Sequence, residues 1–422
     1  MVRVSGPRAL KLAQQLCRTP LAERPRYAQL VEVVSPTDGR LLDKALVTYF
    51  KAPASFTGEE VVEISTHGGY VTPGRIIRAI TDLGARLAEP GEFSLRAFLN
   101  GKMNLAEAEA LNQMISSLSR RGQAIATDNL TGRLTREIEA VRKGLLELLT
   151  IIEHELDFSE DEIDATSRQE INSVLDAAMD RLQHLKATAP YGRIIRDGVR
   201  VILAGPPNAG KSSLFNALIG HERAIVTDIP GTTRDSLEAW IDIDGFPVCL
   251  IDTAGLCESG DAIEQISIKR SRQQLARADI VLVLDPDDPL SVELKPDADG
   301  KKVLYIRSKV DRPIRNGRKV IILTSIMRED GLDDLLEHLR AALHSYIPAG
   351  EGAIVTSQRQ LSVLIAAIQH MEEVKAQLDE GQPIDIISGE IRLAVNSLAE
   401  IIGETTSEDI IRQIFSEFCV GK

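Results

Sequence analysis

The sequence predicts a multidomain α/β protein: an α+β domain at the N-terminus, a helical domain, and a further α/β domain with a mainly parallel sheet inserted into the helical one. Three observations predict it. Between about 198 and 347, short apolar runs alternate with helical stretches, the pattern of βαβ units. On both sides of that segment, apolar residues recur at helical spacing. Ahead of them, residues 1–100 mix strand-like alternation with Gly and Pro punctuation. A chain of 422 residues has room for two or three domains at roughly 150 residues each.

In the N-terminal domain (1–100), Ala45 to Phe50 and Val61 to Ser65 alternate as strands do, and Thr37-Asp38-Gly39, Thr57-Gly58 and Pro90-Gly91 mark turns. The first part of the helical domain (101–197) holds helical stretches over about 104–160 and 167–188. Leu145, Leu148, Leu149, Ile152 and Leu156 share one face, and Thr166-Ser167 is the expected N-cap of the second stretch. Ala189-Pro190-Tyr191-Gly192 reads as a break. In the inserted domain (198–347), Val199–Leu203, Val248–Ile251, Ile280–Leu284, Val303–Ile306 and Val320–Leu323 are runs of buried-strand type. Asp244-Gly245 joins Trp240–Ile243 to Val248–Ile251 as a hairpin, so one edge strand should run antiparallel. After Pro348 the chain reads as helical to Lys422 (348–422, second part of the helical domain). Its face Leu361, Leu364, Ile365, Ile368, Met371 needs a partner, and helices 104–188 are the expected one.

Composition narrows the function. Hydrophobic residues make up 43% and charged residues 26%, a folded rather than disordered balance. No apolar run approaches the roughly 20 residues of a membrane helix, and the N-terminus lacks a signal-peptide core, so no membrane partner is expected. Cys17, Cys249, Cys257 and Cys419 lie too far apart for a Cys-x-x-Cys pair or a disulfide framework, which suits a reducing, cytoplasmic setting. The net charge of −13 argues against binding nucleic acid by overall charge. Residues 1–100 differ, with 13 Lys and Arg against 10 Asp and Glu. Any polyanion contact would need a local patch.

Gly205-Pro206-Pro207-Asn208-Ala209-Gly210-Lys211-Ser212 satisfies G-x-x-x-x-G-K-[ST], after the strand Val199–Leu203 and before the helix Ser212–Ile219, the context that motif needs. The glycines let backbone N–H groups turn inward around phosphate oxygens, and the helix N-terminus adds positive potential. Lys211 is expected at the β- and γ-phosphates and the Ser212 hydroxyl on Mg²⁺. Asp252-Thr253-Ala254-Gly255 ends the hairpin strand; Asp252 suits Mg²⁺ through water, and the Gly255 N–H suits the γ-phosphate. Thr233, in the polar loop Gly231-Thr232-Thr233-Arg234-Asp235, suits a residue that closes on Mg²⁺. Ser308-Lys309-Val310-Asp311 follows a strand where a base-reading loop should lie. A carboxylate there accepts the N1–H and 2-amino hydrogens of guanine, and adenine offers no such pair, so GTP is the expected nucleotide. Leu256 stands where a water-orienting Gln often follows the glycine, and an apolar side chain cannot take that role. Glu258, Asp261 and Glu264 in the next loop are the acidic candidates for it, each otherwise a solvated carboxylate.

In order and spacing these elements resemble a Ras-like P-loop GTPase domain of the translation-factor type. The phosphate loop GPPNAGKSSLFNALIG, together with IVTDIPGTTRD, LIDTAGL, SFTGEEVVEISTHGG, PGEFSLRAFLNGKMNLAEAEAL and the terminal Cys419-Val420-Gly421-Lys422, resembles the MnmE (TrmE) tRNA-modification GTPase family over almost the whole chain. The resemblance implies a homodimer built through the N-terminal domain. That domain also binds a tetrahydrofolate derivative, 5-formyl- or methylene-, as one-carbon donor. It implies a heterotetramer with a flavin-dependent MnmG-type partner, placing aminomethyl or carboxymethylaminomethyl groups on the wobble uridine of tRNA. Hydrolysis would need K⁺ and pairing of two G domains, with the ion where other families use an arginine finger. Asn208, Thr227, Ile229 and Thr232 match the K⁺ positions, Ser212 and Thr233 the Mg²⁺ positions, and Glu264 the water-orienting Glu, with Lys211 and Thr233 completing the catalytic set. The nucleotide-contacting set further takes in Ala209, Gly210, Ser213, Asp228, Pro230, Gly231, Asp252, Thr253, Ala254, Gly255, Ser308, Lys309, Asp311 and Ser325. Arg3, Glu63, Lys102 and Lys422 match the folate positions.

The chain departs from the pattern in places. Family members open with about one further strand, carrying a Pro-Pro-Gly-Arg-Gly turn, before the match to Val2-Arg3-Val4-Ser5-Gly6-Pro7. Cys257 stands for a commoner Arg, Ile326 for Ala after Ser325, and Ser308 for Asn. Ser is too short for the amide's two contacts, and one lost buried hydrogen bond costs about 1–3 kcal/mol. Outside the motifs, His67 reads as a turn histidine, Cys419 as a packed rather than reactive thiol, and Arg120-Arg121 as a solvated helix face rather than a tRNA contact. The alternative function is a regulatory GTP switch in ribosome or RNA assembly without modification chemistry; such proteins usually carry a basic RNA-binding domain, whereas the segment after residue 347 is acidic and helical.

Overall fold

The computed structural model describes residues 1–158, 165–224, 238–252, 275–292, 301–309, 322–328, 330–348, 352–418 and 421. The chain divides into two compact units, Met1–Asn112 with Ala399–Lys422, and Gln113–Leu398.

In the first unit, β1 (Val2–Ser5), β2 (Ala28–Val34), β3 (Leu41–Phe50) and β4 (Val61–Ser65) form an antiparallel sheet in the order β1-β4-β3-β2. Alternate residues of these strands face inward, as period-2 side chains must. Val31, Val33, Ala45, Val47, Val62 and Ile64 are buried with Ala13 and Leu16 of α1 (Ala9–Leu16) and Ile76 and Ile80 of α2 (Val71–Asp82). A second apolar cluster joins Leu95 and Phe98 of α3 (Glu92–Leu99) and Leu105 and Ala108 of α4 (Leu105–Ser116) to Phe415 and Phe418 near the C-terminus.

In the second unit α5 (Arg120–Leu130), α6 (Arg133–Phe158) and α7 (Ala165–Asp197) precede the inserted domain. The helical stretch expected over 104–160 is thus divided among three helices, α4 to α6. Ser119 ends the gap before α5, its hydroxyl accepting the Gly122 N–H at 3.1 Å. Helix α7 starts ahead of Thr166-Ser167, which lie inside its first turn rather than capping it. It also runs through Pro190, where the sequence reads as a break. A proline in a helix interior costs about 3 kcal/mol, but Pro190 is exposed while Ala189, Tyr191, Ile194 and Ile195 are buried around it. Gly192 adds to the hold: a Cβ there would stand 1.9 Å from the Val355 carbonyl oxygen, so only glycine allows this approach. Tertiary packing outweighs the missing hydrogen bond.

The inserted sheet has seven strands, β5 (Val199–Ala204), β6 (Arg223–Ala224), β7 (Glu238–Ile243), β8 (Phe246–Asp252), β9 (Ile280–Asp285), β10 (Lys302–Arg307) and β11 (Ile322–Leu323), in the order β11-β10-β9-β5-β8-β7-β6. The central pairs are parallel and β7 is antiparallel to β8. Asp244 (φ 53) and Gly245 (φ 83) make the two-residue turn between them. The edge is not β7, however: the two-residue β6 pairs outside it. Val199, Val201 and Leu203 point to one face, toward α8 (Lys211–His221) and α9 (Asp333–His344); Ile202 and Ala204 point to the other with Cys249 and Ile251. Such two-sided burial explains why these strands read as unbroken apolar runs. Helix α10 (Gln358–Asp379), opened by a Ser357–Gln360 capping box, buries Leu364, Ile368 and Met371 and packs against α7. Helices α11 (Ile384–Ile402) and α12 (Glu408–Ser416) follow. Among the described residues, no helix is long and apolar enough to cross a membrane.

Candidate nucleotide site

The loop Gly205–Gly210 joins β5 to α8 at the carboxyl end of the parallel strands, where open α/β sheets hold ligands. Gly205 (φ 145) lies so close to β9 that a Cβ would meet the Leu284 oxygen at 2.1 Å. Asn208 (φ 63) and Gly210 (φ 95) hold left-handed conformations, the backbone pattern that turns successive N–H groups toward one side, ahead of the first turn of α8. Lys211 is buried, and its ammonium donates to the carbonyl oxygens of Gly205 and Pro206 at 2.8 and 2.9 Å. The cation is thus fixed over the loop by two of its carbonyl groups. Ser212 and Ser213 are exposed on the first turn of α8. Asp252, buried, lies opposite Leu203 across the β5–β8 pairing. A serine hydroxyl and a carboxylate are the hard oxygen donors that Mg²⁺ takes.

Beside this loop lies a cavity of about 180 Å³, lined by Gly210, Ser213, Leu214, Leu284, Ser308, Lys309, Thr324, Ile326 and Met327. Two bonds tie its wall to the phosphate loop. The Ser308 hydroxyl, buried, donates to the Ala209 carbonyl at 2.7 Å, and the Lys309 ammonium donates to the Asn208 carbonyl at 2.7 Å. Lys309 itself is left-handed (φ 57), which turns its side chain back over the loop. Ser325, also buried, stands between the lining residues Thr324 and Ile326; its N–H donates to the Gly331 carbonyl at 3.1 Å and its hydroxyl accepts the Met327 N–H at 3.3 Å. Thr324, which motif reading passed over, lines the cavity with its hydroxyl enclosed and, among the described residues, without a hydrogen-bond partner. No local pattern marks that threonine, because its role arises only where β11 meets β10.

The structure brings Asn208, Ala209, Gly210, Lys211, Ser212, Ser213, Asp252, Ser308, Lys309 and Ser325 to this end of the sheet. Thr227, Asp228, Ile229, Pro230, Gly231, Thr232, Thr233, Thr253, Ala254, Gly255, Glu264, Asp311 and Lys422 lie outside the described residues, as do Leu256, Glu258, Asp261 and Cys419. Of the folate positions, Arg3 and Glu63 are cross-strand neighbours on β1 and β4 and form an ion pair at 2.7 Å, with the guanidinium 4.9 Å from the Phe56 ring centroid and 5.6 Å from that of Phe93. Lys102 lies against the turn at Gly58 and, among the described residues, makes no ion pair with Glu63.

Three further side chains are placed. His67 is a turn residue: its N–H and Nδ1 both meet the Asp43 carboxylate, at 2.8 and 2.7 Å. Burial raises the Asp43 pKa, the hydrogen bonds from His67 more than offset it, and the group ends below its ordinary range. Burial pushes the Cys249 thiol up to about 12, far from thiolate chemistry. Arg121 is not a solvated helix residue. Its Nε donates to the Asp244 carbonyl at 2.9 Å and its guanidinium lies 5.0 Å from the Phe246 ring centroid, so α5 holds the tip of the β7–β8 hairpin. Asp244 also pairs with His344 of α9.

A parallel sheet with this loop at its carboxyl end, a buried lysine over it and a walled cavity beside it defines a P-loop nucleotide-binding protein. Residues 1–102 match the family model for the GTP-binding protein TrmE N-terminus, and residues 105–419 match that for the MnmE helical domain. The protein named tRNA modification GTPase MnmE in Geobacillus kaustophilus (strain HTA426) is 37% identical, over 100% of this chain and 96% of that one. Its namesake in Haemophilus influenzae (strain PittGG) is 39% identical with the same coverage, and that in Bacillus subtilis (strain 168) is 36% identical. The chain belongs to the tRNA modification GTPase MnmE family. Among solved structures, the G domain of the T. maritima FeoB iron transporter is 29% identical, covering 35% of this chain and 98% of that one with a TM-score of 0.24.

Proposed function

We propose that this GTPase acts on the wobble uridine of tRNA as one half of a two-protein enzyme. A flavin-dependent MnmG-type partner would complete a heterotetramer, and a tetrahydrofolate derivative would supply the carbon of the aminomethyl or carboxymethylaminomethyl product. Residues 1–100 would bind the folate and dimerise, 198–347 would be the G domain, and 101–197 with 348–422 would be the helical domain that carries it. GTP would bind with its phosphates in the 205–212 loop and its guanine in the cavity beside it. The observation that supports this placement best is the pair of bonds from Ser308 and Lys309 to the phosphate loop, which make one continuous wall of the two half-sites.

The residues support a division of labour. Lys211 would neutralise charge on the β- and γ-phosphates; Ser212 and Thr233 would hold Mg²⁺, with Asp252 reaching it through water. Asn208, Thr227, Ile229 and Thr232 would ligate K⁺, which would supply positive charge as the γ-phosphate leaves. Glu264 would orient water, with charge stabilisation by the fixed cations as the main contribution to rate. Arg3, Glu63, Lys102 and Lys422 would receive the folate, where a partly screened Arg3–Glu63 pair suits a group that both donates and accepts hydrogen bonds.

Mass spectrometry of tRNA nucleosides from cells lacking the protein tests the reading. The expected result is loss of C5 aminomethyl-type wobble uridines. Unchanged nucleosides together with a ribosome-assembly defect would establish the regulatory switch instead.

A further inference from the structure

Helix α2 buries one face against the N-terminal sheet and leaves the other without a partner. Ile76, Ala79 and Ile80 lie in the core. On a helix of 3.6 residues per turn, Val71, Arg75, Arg78 and Asp82 share one narrow arc opposite Ile76 and Ile80, and all four are exposed. Among the described residues, the Arg75 and Arg78 guanidinium groups have no ion pair and no hydrogen bond. Asp82, at the far end of the arc, is its one acidic group. The Arg8 guanidinium reaches to within 3.9 Å of where a Cβ on Gly84 would stand, just past that aspartate. At the near end the helix starts from Tyr70, which is 100% exposed, and Val71 is 73% exposed. A phenol ring standing wholly in water adds nothing to the core. The turn that delivers it is nonetheless fastened, because His67 holds the Asp43 carboxylate through both its N–H and Nδ1. The acids of the neighbouring strands are committed, Asp43 to His67 and Glu32 to Arg18 and Lys44.

We propose that the outer face of α2, with Tyr70 at its head, is a surface that binds tRNA: Arg75 and Arg78 take phosphates of the strand, and the Tyr70 ring stacks on an unpaired base. The net charge of −13 excludes binding by overall charge, so the contact has to be local, and it lies in the one part of the chain where basic residues outnumber acidic ones, 13 to 10 over residues 1–100. Sequence-bearing contacts to RNA are made on single-stranded loops, whose splayed bases stack on aromatic side chains. A protein partner would have to pair acidic groups with a socket for the phenol, whereas every nucleotide of an RNA strand brings a phosphate and a stacking face together. This inference rests on the reading of tRNA as the substrate and is independent of where the nucleotide and the folate bind.

Fluorescence anisotropy of the full chain with a labelled tRNA transcript bearing uridine at the wobble position, over a series of salt concentrations, tests it. Arg75→Gln combined with Arg78→Gln should weaken binding about tenfold or more and flatten the slope of log K against log salt by about 1.4, the contribution of two single-strand phosphate contacts. Tyr70→Ala should weaken binding about fivefold or more without changing the slope, and Tyr70→Phe, which keeps the ring, should bind as the unsubstituted protein does. Heparin, a polyanion without bases, should bind the arginine variant more weakly and be indifferent to Tyr70→Ala. GTP hydrolysis should be unchanged in every variant, which verifies folding. Unchanged tRNA affinity and slope in the arginine variant overturn the proposal, as does a response to Tyr70→Ala that is the same for heparin as for tRNA. An arginine variant that keeps tRNA affinity but no longer co-purifies with the flavin-dependent partner assigns the face to that protein instead. If the unsubstituted chain binds no tRNA, the proposal falls, while the modification reading is decided separately by the nucleoside analysis.

Discussion

Replacing Arg121 with alanine should loosen the β7–β8 hairpin, and the size of the effect follows from the contacts. The guanidinium donates one charge-assisted hydrogen bond to the Asp244 carbonyl at 2.9 Å, worth about 1.5–3 kcal/mol where water is excluded. Its side chain is one-third exposed, so the lower end applies. The Phe246 ring 5.0 Å away adds about 0.5–1 kcal/mol. The Asp244 carboxylate at 3.8 Å, itself 46% exposed, adds little. The sum is about 2 kcal/mol, and Arg121→Lys, which keeps charge but loses the planar fork, should recover less than half. The chain has a single tryptophan, Trp240 on β7, so its fluorescence during urea unfolding reports on this sheet directly. A midpoint shift equivalent to about 2 kcal/mol with unchanged slope is expected. A shift below about 0.5 kcal/mol, or additivity between Arg121→Ala and Phe246→Leu in a double-mutant cycle, would show that the contact is not holding the hairpin.

Other outcomes follow from single residues. Hydrogen bonds from Arg86, then the Glu89 N–H and Arg96, outweigh burial and hold the Glu92 carboxyl at about 2. A depressed carboxyl pKa stabilises at pH above the ordinary value near 4.5 and loses that contribution as pH falls toward 2; given the exposure of Arg86, it is about 1–2 kcal/mol. The stability gap between the protein and Glu92→Gln should be constant from pH 7 to 5 and narrow below 4.5, and a gap that widens on acidification would contradict the assignment. Hydrolysis of GTP should be faster in K⁺ than in Na⁺, and Asn208→Gly, which keeps the left-handed backbone, should remove the difference; equal rates in both salts eliminate the K⁺ mechanism. Asp311→Asn should turn preference from GTP toward xanthosine triphosphate, measured by competition binding. Deleting Cys419–Lys422 should abolish wobble-uridine modification in complemented cells while purified protein retains K⁺-stimulated hydrolysis; retained modification would dissociate the tail from the reaction.

What could be read in advance divides along physical lines. The phosphate loop was legible because its chemistry is local: eight consecutive residues and their flanking strand and helix carry the geometry. Strands buried on both faces were legible as apolar runs. Pro190 misled because a helix boundary is a local signal, and the burial of Tyr191 and the approach of Val355 to Gly192 are not. The edge strand was missed because two residues make no periodicity. Arg121 and Asp244 are 123 positions apart, and nothing in either segment announces the other. Thr324 was missed for a further reason, that an unsatisfied hydroxyl is a property of its surroundings and not of its sequence.

The passage from α7 to β5 has a mechanical consequence. The helix has 33 residues, about 50 Å at the usual rise of 1.5 Å, and only Gly198 separates its last turn from the strand that feeds the phosphate loop. A Cβ at Gly198 would stand 2.4 Å from the Trp240 ring, so that joint is clamped against β7 and is no loose hinge. A rod fixed at one end magnifies rotation in proportion to its length. A tilt of about 5° at the strand, the scale of ordinary packing adjustments, would carry the distant end of α7 through about 4 Å. A comparable tilt at that joint would therefore be felt at the far end of α7 as a displacement larger than a water molecule.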